Sequence, residues 1–200
     1  MTGESTLPPP SLDGSVSLEE ALAGRESVRR YADKPLTPDE ISQLLWAAQG
    51  KNPSGSRTAP SAGATYPLEV YALIGRAKGI SPGIYKYLPE GHKLIGRTNV
   101  DPRAELFSAA SCQESVLEAS MSIVITGVYE RTTARYGERG RMYVHMEAGH
   151  AAQNVCLQAV ALGLGTVVIG AYDEKAVSSL LKLPGDEKPL YIVAIGKPAE

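Results

Sequence analysis

The sequence has few cysteines and no surplus of either charge. Its 200 residues include two cysteines, Cys112 and Cys156, and neither belongs to a CxxC pair. We therefore expect neither a disulfide framework nor a cysteine-based zinc site. The 20 basic and 22 acidic residues give a formal net charge of -2. Such a balance provides no overall field to attract nucleic acid or an anionic membrane.

Long apolar runs are also missing. No stretch approaches the roughly 20 residues of a membrane span, and the opening residues, MTGESTLPPPSLDG, lack the basic and apolar segments of a secretory signal. We therefore expect a cytoplasmic protein without a membrane partner. The prolines at 8–10 predict an extended N-terminal arm over residues 1–16. Residues 17–200 suffice for one buried core, so we expect a single domain there.

The two best-known phosphate loops are absent, because no GxGxxG follows a strand pattern and no GxxxxGK[ST] occurs. Capping boxes at SLEE (17–20) and TPDE (37–40) instead predict two helices, which end near Gly24 and Gly50. Strand patterns follow at 68–74, in a hairpin within GIYKYLPEGHKLIG, and at 121–129, 166–170 and 189–196. This order predicts an α+β fold with a mixed, mainly antiparallel central sheet flanked by helices.

One long segment carries no charged side chain. From Ala148 through Tyr172 there is no Asp, Glu, Lys or Arg, and its first part has the composition of a helix. A helix without a charged face must be buried on all sides. We therefore expect it either at the centre of the domain or across a contact between subunits.

The segment GRESVRRY concentrates cations before the second helix. In an extended chain the side chains of Arg25, Ser27 and Arg29 lie on one side, and those of Glu26, Val28 and Arg30 on the other. Guanidinium groups suit phosphate because they offer forked donors that stay charged, and a hydroxyl between them adds a donor. The pattern alone fits either a phosphate site or a solvated basic turn.

Six blocks in order along the chain resemble the flavin-dependent nitroreductase superfamily. More narrowly, they are similar to the branch that contains the azoline dehydrogenase component of thiazole- and oxazole-forming peptide synthetases. The blocks are RESVRRY, KPLTPDEISQLLWAAQG, APSAGATYPLEVY, EAGHAAQN, ALGLGTVVIGAYDE and IVAIGKP. The resemblance implies a nitroreductase-like fold and a homodimer with FMN at the subunit interface.

The resemblance also assigns residues to this FMN. Arg25, Ser27 and Arg29 match the element that contacts its phosphate, ribityl chain and pyrimidine edge. A segment that reaches the flavin across the dimer is matched by Pro60, Ser61 and Gly63, and a contact to the flavin ring is matched by Gln113. A backbone donor to flavin N5 is matched by Ile169, Gly170 and Ala171, and a second phosphate contact is matched by Lys197.

The implied activity is an FMN-dependent oxidoreductase that transfers hydride by a ping-pong cycle. NADH or NADPH would be the donor, and a nitroaromatic or quinone the small acceptor. Two alternatives stay open: a dehydrogenase of azoline-containing peptides, and a protein that binds or stores FMN without turnover.

Two further groups of residues bear on the site. Arg135 and Tyr136 stand where the azoline-oxidising relatives have a Lys-Tyr pair, and they fit either a substrate pocket or a solvated helix start. Arginine is a poor proton shuttle, which weakens the azoline alternative. His145, Glu147 and His150 do not follow the HExxH spacing, so we expect no metal site.

Overall fold

The protein forms a three-layer structure around one central sheet. The structure is a computed structural model and describes residues 3–199; the outer ends of the predicted arm and domain, Met1, Thr2 and Glu200, lie outside the described residues. Seven strands occur in this range: β1 Glu4–Thr6, β2 Leu68–Ile74, β3 Gly83–Leu88, β4 Lys93–Thr98, β5 Met121–Val128, β6 Gly165–Ile169 and β7 Glu187–Gly196. They form one sheet in the order β1-β4-β3-β2-β5-β7-β6.

All six pairings between neighbouring strands are antiparallel. Parallel contacts occur as the isolated bridges Ser27–Thr166 and Leu36–Ala77. The predicted α+β class with a mainly antiparallel sheet is confirmed. The predicted hairpin corresponds to β3 and β4, and the first predicted strand has the observed bounds of β2.

Seven α-helices cover the sheet. They are α1 Leu18–Gly24, α2 Pro38–Gln49, α3 Arg103–Ala109, α4 Glu114–Glu118, α5 Glu130–Tyr136, α6 Arg139–Ala161 and α7 Glu174–Leu181. Both predicted capping boxes are present, at Ser17 with Glu20 and at Thr37 with Glu40. Asp173 caps α7 by accepting a hydrogen bond from the Ala176 amide at 2.9 Å. No helix in residues 3–199 is both long and apolar enough to cross a membrane.

Alternate strand residues face opposite layers, as the pleat requires. Val70 and Ala72 pack with α2 and α6 in one apolar cluster, while Tyr71 and Leu73 pack with α3, α4 and α7 in the other. The core therefore continues through both faces of the sheet.

Helix α6 packs its small residues on the sheet but does not lie at the centre of the domain. Ala148, Ala151 and Val155 are buried beneath it, whereas His150 and Gln153 on its outer side are exposed. Burial on all sides is therefore wrong for a single chain, because only one layer covers this helix. Burial across a subunit contact stays a prediction.

Candidate functional site

The basic segment between α1 and α2 lies beside the edge strand β6. Ser27 forms a parallel bridge with Thr166, and the Val28 amide donates to the Thr166 carbonyl at 2.8 Å. Arg25 closes α1 in an extended conformation. Its charge is close enough to Cys156 on α6 to oppose the rise in thiol pKa that burial causes. The segment is thus held between β6 and α6.

The side chains of this segment divide as an extended chain requires. Val28 packs toward the β6 backbone, since a Cβ added to Gly165 would lie 2.6 Å from its methyl carbon. Arg30 Nε approaches Glu118 Oε1 at 3.3 Å. Arg25 and Arg29 are exposed, and neither forms an ion pair with any residue from 3 to 199. Two guanidiniums are therefore available to an anion.

Gly170, the first residue after β6, is four residues beyond the Ser27–Thr166 bridge, about 13 Å along the strand direction. Ile169 is buried, whereas Gly170 and Ala171 are exposed. In the part of the chain that the structure describes, neither Gly170 nor Ala171 donates a backbone hydrogen bond. Gln113 donates from Nε2 to the Ala171 carbonyl at 3.3 Å. The structure thus brings Gln113 and Ala171 together and leaves the amides of two exposed residues without a backbone acceptor in the described chain.

Lys197 follows the last strand and has a carboxylate partner. Its ammonium group donates to Glu40 Oε1, and Glu40 also caps α2 by accepting from the Thr37 amide at 2.8 Å. The Lys197 carbonyl accepts from the Ala32 amide at 2.9 Å, next to the basic segment. The backbone of Lys197 therefore lies next to Ala32, which follows the basic segment, but its charge is engaged by Glu40 on α2.

The predicted residues Ser61 and Gly63 lie in the loop before β2, which folds as a short 3-10 helix over Ala62–Ala64. Gly63 has φ 58°, in the left-handed region that favours glycine. Its carbonyl accepts a hydrogen bond from Arg135 Nη1 at 3.1 Å. A Cβ at Gly63 would lie 2.5 Å from the Tyr136 hydroxyl. The structure therefore joins the predicted loop to the Arg135–Tyr136 pair.

A small pocket of about 270 Å³ opens beside the same loop. It lies between the loop and the first half of α6. Its lining residues are Pro60, Ser61, Ala62, Tyr143, Met146, Glu147 and His150.

Glu147 is the site residue that sequence reasoning missed. It is 3% exposed, and its Oε1 atom is buried without a hydrogen-bond partner in the described chain. Burial raises the pKa of its carboxyl group to about 7, although the Ser61 hydroxyl and the Ala62 backbone act in the opposite direction. The available signal is its position directly before the charge-free segment, where a lone carboxyl group adjoins residues with the composition of a buried helix.

The histidines near Glu147 have separate surroundings. His145 Nε2 hydrogen-bonds to the Tyr129 hydroxyl, whereas His150 lines the pocket. Residues 3–199 contain no cluster of three or more His, Cys, Asp or Glu side chains that would hold a metal ion. The arrangement offers groups that can bind an organic ligand, namely guanidiniums, backbone amides of exposed residues and a buried carboxyl.

Known proteins match this chain over most of its length. The sequence profile described as the nitroreductase family matches residues 22–197. Protein MJ1384 of Methanocaldococcus jannaschii, which has a provisional nitroreductase name, is 44% identical over 92% of this chain and 93% of its own length. The Escherichia coli microcin B17-processing protein McbC is 28% identical over 76% of this chain and 59% of its own. The predicted resemblance, including its peptide-processing branch, is confirmed.

A Bacillus subtilis protein named FMN reductase (NADPH) is 26% identical over 90% of this chain and 65% of its own length. Among solved structures, a protein from Anabaena variabilis superposes with a TM-score of 0.86 at 29% identity, covering 99% of this chain and 42% of that one. One from Ralstonia eutropha gives 0.85 at 29% identity, covering 98% and 90%. Both have provisional nitroreductase names. This chain spans less than two thirds of McbC, of the Bacillus protein and of the Anabaena protein.

The fold, the sequence profile and the identity to MJ1384 agree. The chain belongs to the nitroreductase family, and it is an FMN-dependent oxidoreductase.

Proposed function

We propose that this protein binds FMN between the basic segment and the end of β6, and catalyses hydride transfer from NADH or NADPH to a small acceptor of the nitroaromatic or quinone type. When bound, FMN supplies the redox chemistry by accepting a hydride from the donor and passing it to the acceptor. The protein binds and orients the ring and supplies charge. We place this activity in the cytoplasm.

The observation that supports this proposal is that the guanidiniums of Arg25 and Arg29 have no carboxylate partner in residues 3–199. A phosphate bears about 1.5 to 2 negative charges near neutral pH, and forked N–H donors match its oxygens. Arg25 and Arg29 are exposed beside Ser27, whose hydroxyl adds a neutral donor. The two arginines lie beside β6, and this strand runs toward Gly170 and Ala171. An FMN molecule whose phosphate is bound by the arginines could therefore extend along β6 toward those two residues. We assign those two amides to the flavin ring, because a backbone donor keeps its position during turnover.

The second half of the proposed site comes from another subunit. Arg25 lies near Cys156, in the C-terminal half of α6, whereas the Ser61 loop lies near Glu147, about 14 Å earlier along the helix. If two copies pair α6 antiparallel about a twofold axis, the basic segment of one copy faces the Ser61 loop of the other. Ser61 and Gly63 would then contact the flavin from the partner.

Apolar side chains on the surface support this homodimer. Leu18 and Leu22 on α1 are 61% and 53% exposed, and Met142 and Met146 on α6 are 45% and 49% exposed. Such side chains next to the charge-free second half of α6 fit a surface that a second copy covers.

The proposed donor and acceptor classes follow from the exposed setting of the site. Gly170 and Ala171 face solvent, so a ring held there has an open face that accepts several small oxidants. The Bacillus relative is named for NADPH, which favours a nicotinamide donor; we propose NADH or NADPH without choosing between them.

A second candidate is a dehydrogenase of azoline-containing peptides. The similarity to McbC favours it, as does the contact of Arg135 and Tyr136 with the Gly63 loop. A role for Arg135 there would be to bind the substrate, since its guanidinium stays protonated. FMN storage without turnover is not favoured, because the chain's family and its named relatives are oxidoreductases.

Spectroscopy and steady-state kinetics test these candidates. We expect purified, undenatured protein to show the visible bands of oxidised flavin and to oxidise NADH or NADPH in the presence of menadione. Bound flavin with negligible flux would favour storage, and oxidation of a heterocyclised peptide would favour the azoline activity. Protein that remains colourless after incubation with excess FMN would overturn the proposal.

A further inference from the structure

The pocket beside the Ser61 loop contains a polar atom that nothing in the chain satisfies. Glu147 is buried, and its Oε1 atom has no hydrogen-bond partner among the described residues. Buried polar atoms in folded proteins nearly always have a partner. A partner that belongs to a bound molecule would account for this exception.

The surroundings of Glu147 favour its neutral form. No Lys or Arg pairs with it in residues 3–199, and a buried carboxylate without a cation is unfavourable. The pKa of about 7 that burial gives Glu147 agrees with this. A neutral carboxyl has one O–H donor, so the matching ligand atom is an acceptor.

The charges around the pocket point to the same kind of ligand. The loop contributes the uncharged residues Ser61 and Ala62, and α6 contributes Tyr143 and His150 beside Glu147. The Arg139 guanidinium lies 5.6 Å from the centre of the Tyr143 ring. On α5, Arg135 and Tyr136 adjoin Gly63, and the Tyr136 and Tyr143 rings are 5.3 Å apart. The two nearby arginines oppose a cationic ligand such as an amine.

The walls and the size of the pocket limit the ligand further. Pro60, Ala62, Tyr143 and Met146 line it, and their apolar surfaces suit a flat ring. The volume of about 270 Å³ is below the roughly 300–1,000 Å³ of sites for drug-sized ligands. It therefore suits a molecule with one aromatic ring.

We propose that this pocket binds a single-ring molecule with a carbonyl or nitro oxygen, and that Glu147 in its neutral form donates a hydrogen bond to that oxygen. As the subsite for the electron acceptor it rests on the function proposed above, since Ser61 is also our contact to the flavin. The binding step itself involves no electron transfer.

The test uses the full-length protein as purified, with FMN and without a reductant. The protein is labelled with ¹³C at the methionine methyl groups and titrated with acetophenone, a single-ring carbonyl compound without a titratable group. The Met146 signal, identified by Met146→Leu, reports on the pocket, and the buried Met121 serves as an internal reference. Benzylamine provides the cationic comparison.

We expect the Met146 signal to shift saturably with acetophenone. The apparent Kd should rise about tenfold from pH 6 to pH 8, because the binding-competent protonated fraction of a group with a pKa of about 7 falls by that factor. Glu147→Gln keeps an N–H donor and cannot titrate, so its affinity should be equal at both pH values.

Several outcomes would overturn the inference. They are an unmoved Met146 signal, an affinity for acetophenone that does not depend on pH, and binding of benzylamine at pH 6 that is tighter than that of acetophenone. A Met146 signal that follows protein concentration instead of ligand would mean that a second copy fills the pocket. Flavin bands and NAD(P)H oxidation are measured on the same samples. Active, flavin-loaded protein that does not bind acetophenone contradicts this subsite alone, whereas colourless protein that binds acetophenone contradicts the proposed function alone.

Discussion

The Arg135 guanidinium donates a hydrogen bond to the Gly63 carbonyl, with 3.1 Å between Nη1 and the oxygen. These residues are 72 positions apart and belong to segments that the sequence suggested for different roles. Their contact joins the loop before β2 to the C-terminal end of α5. A substitution at either residue should therefore disturb both segments.

Gly63→Ala tests this contact. Alanine at φ 58° is strained by about 1–2 kcal/mol, and its Cβ would also lie 2.5 Å from the Tyr136 hydroxyl and 2.9 Å from Arg135 Nη1. We expect the free energy of unfolding in urea to fall by about 2–3 kcal/mol, together with slower menadione reduction.

Gly79→Ala is the matched control for Gly63→Ala. Gly79 also has positive φ, at 71°, but a Cβ there meets no atom within 4 Å. Its loss of stability should therefore reflect backbone strain alone. Equal losses in the two variants would mean that the contact with Arg135 and Tyr136 has no energetic weight.

Arg25→Ala and Arg29→Ala should each weaken FMN binding. A charge-assisted hydrogen bond contributes about 1.5–3 kcal/mol, which corresponds to about a ten- to 150-fold rise in Kd. Titration of FMN-free protein, followed by the quenching of flavin fluorescence, measures this change. Arg30→Ala is the control, because Arg30 faces Glu118 and should retain wild-type affinity. Three equal losses would indicate a general electrostatic effect instead of a phosphate site.

Lys197→Ala should weaken FMN binding less than Arg25→Ala. Lys197 already has Glu40 as a partner, whereas Arg25 has no carboxylate partner in residues 3–199. Glu40→Gln releases the lysine and should leave FMN affinity equal or higher, while removing an N-terminal charge from α2. The same fluorescence titration ranks the three variants. A larger loss for Lys197→Ala would make this lysine the principal phosphate contact.

Local features of this fold were predictable, whereas long-range pairings were not. The capping boxes at Ser17 and Thr37 and the bounds of β2 follow from neighbouring residues, because caps and strand alternation are short-range effects. The pairing of Lys197 with Glu40 joins residues 157 positions apart. No local pattern indicates which of several acids a lysine meets after folding.

The candidate site divides in the same way. The alternation in the basic segment agrees with the contacts of Val28 with Gly165 and of Arg30 with Glu118, since extended backbone places alternate side chains on opposite sides. Glu147 was missed because its state depends on its burial in the folded chain and on hydrogen bonds with Ser61 and Ala62, which are distant in sequence. The proposed FMN contacts themselves stay predictions.

Acidification should remove the stabilisation that Glu69 provides. Burial acts to raise the pKa of this carboxyl group, but Lys86 and Arg131 lower it below its ordinary value of 4.5. Their nitrogens lie 3.0 Å and 2.6 Å from its oxygens. A carboxyl group with a lowered folded-state pKa stabilises the protein above its unfolded-state pKa. That contribution is lost as pH falls through the folded-state value.

Glu69→Gln should therefore lower the free energy of unfolding by about 2 kcal/mol at pH 7, less than for a fully buried pair because Arg131 remains partly hydrated. The difference from the wild type should shrink below pH 4.5. Urea unfolding at several pH values measures it. Glu90→Gln removes an exposed pair with Lys51 and should leave stability unchanged. If the free energy of unfolding of Glu69→Gln remains below that of the wild type at acid pH, the effect is due to packing and not to charge.

The two outermost strands of the sheet, β1 and β6, have three and five residues. An outer strand offers unpaired main-chain groups on which another molecule can extend the sheet, a common start of aggregation. Here the outer edge at β1 is short, and the outer edge at β6 is partly paired where Ser27 bridges Thr166. The folded chain therefore offers little free strand edge on which a second chain could extend the sheet.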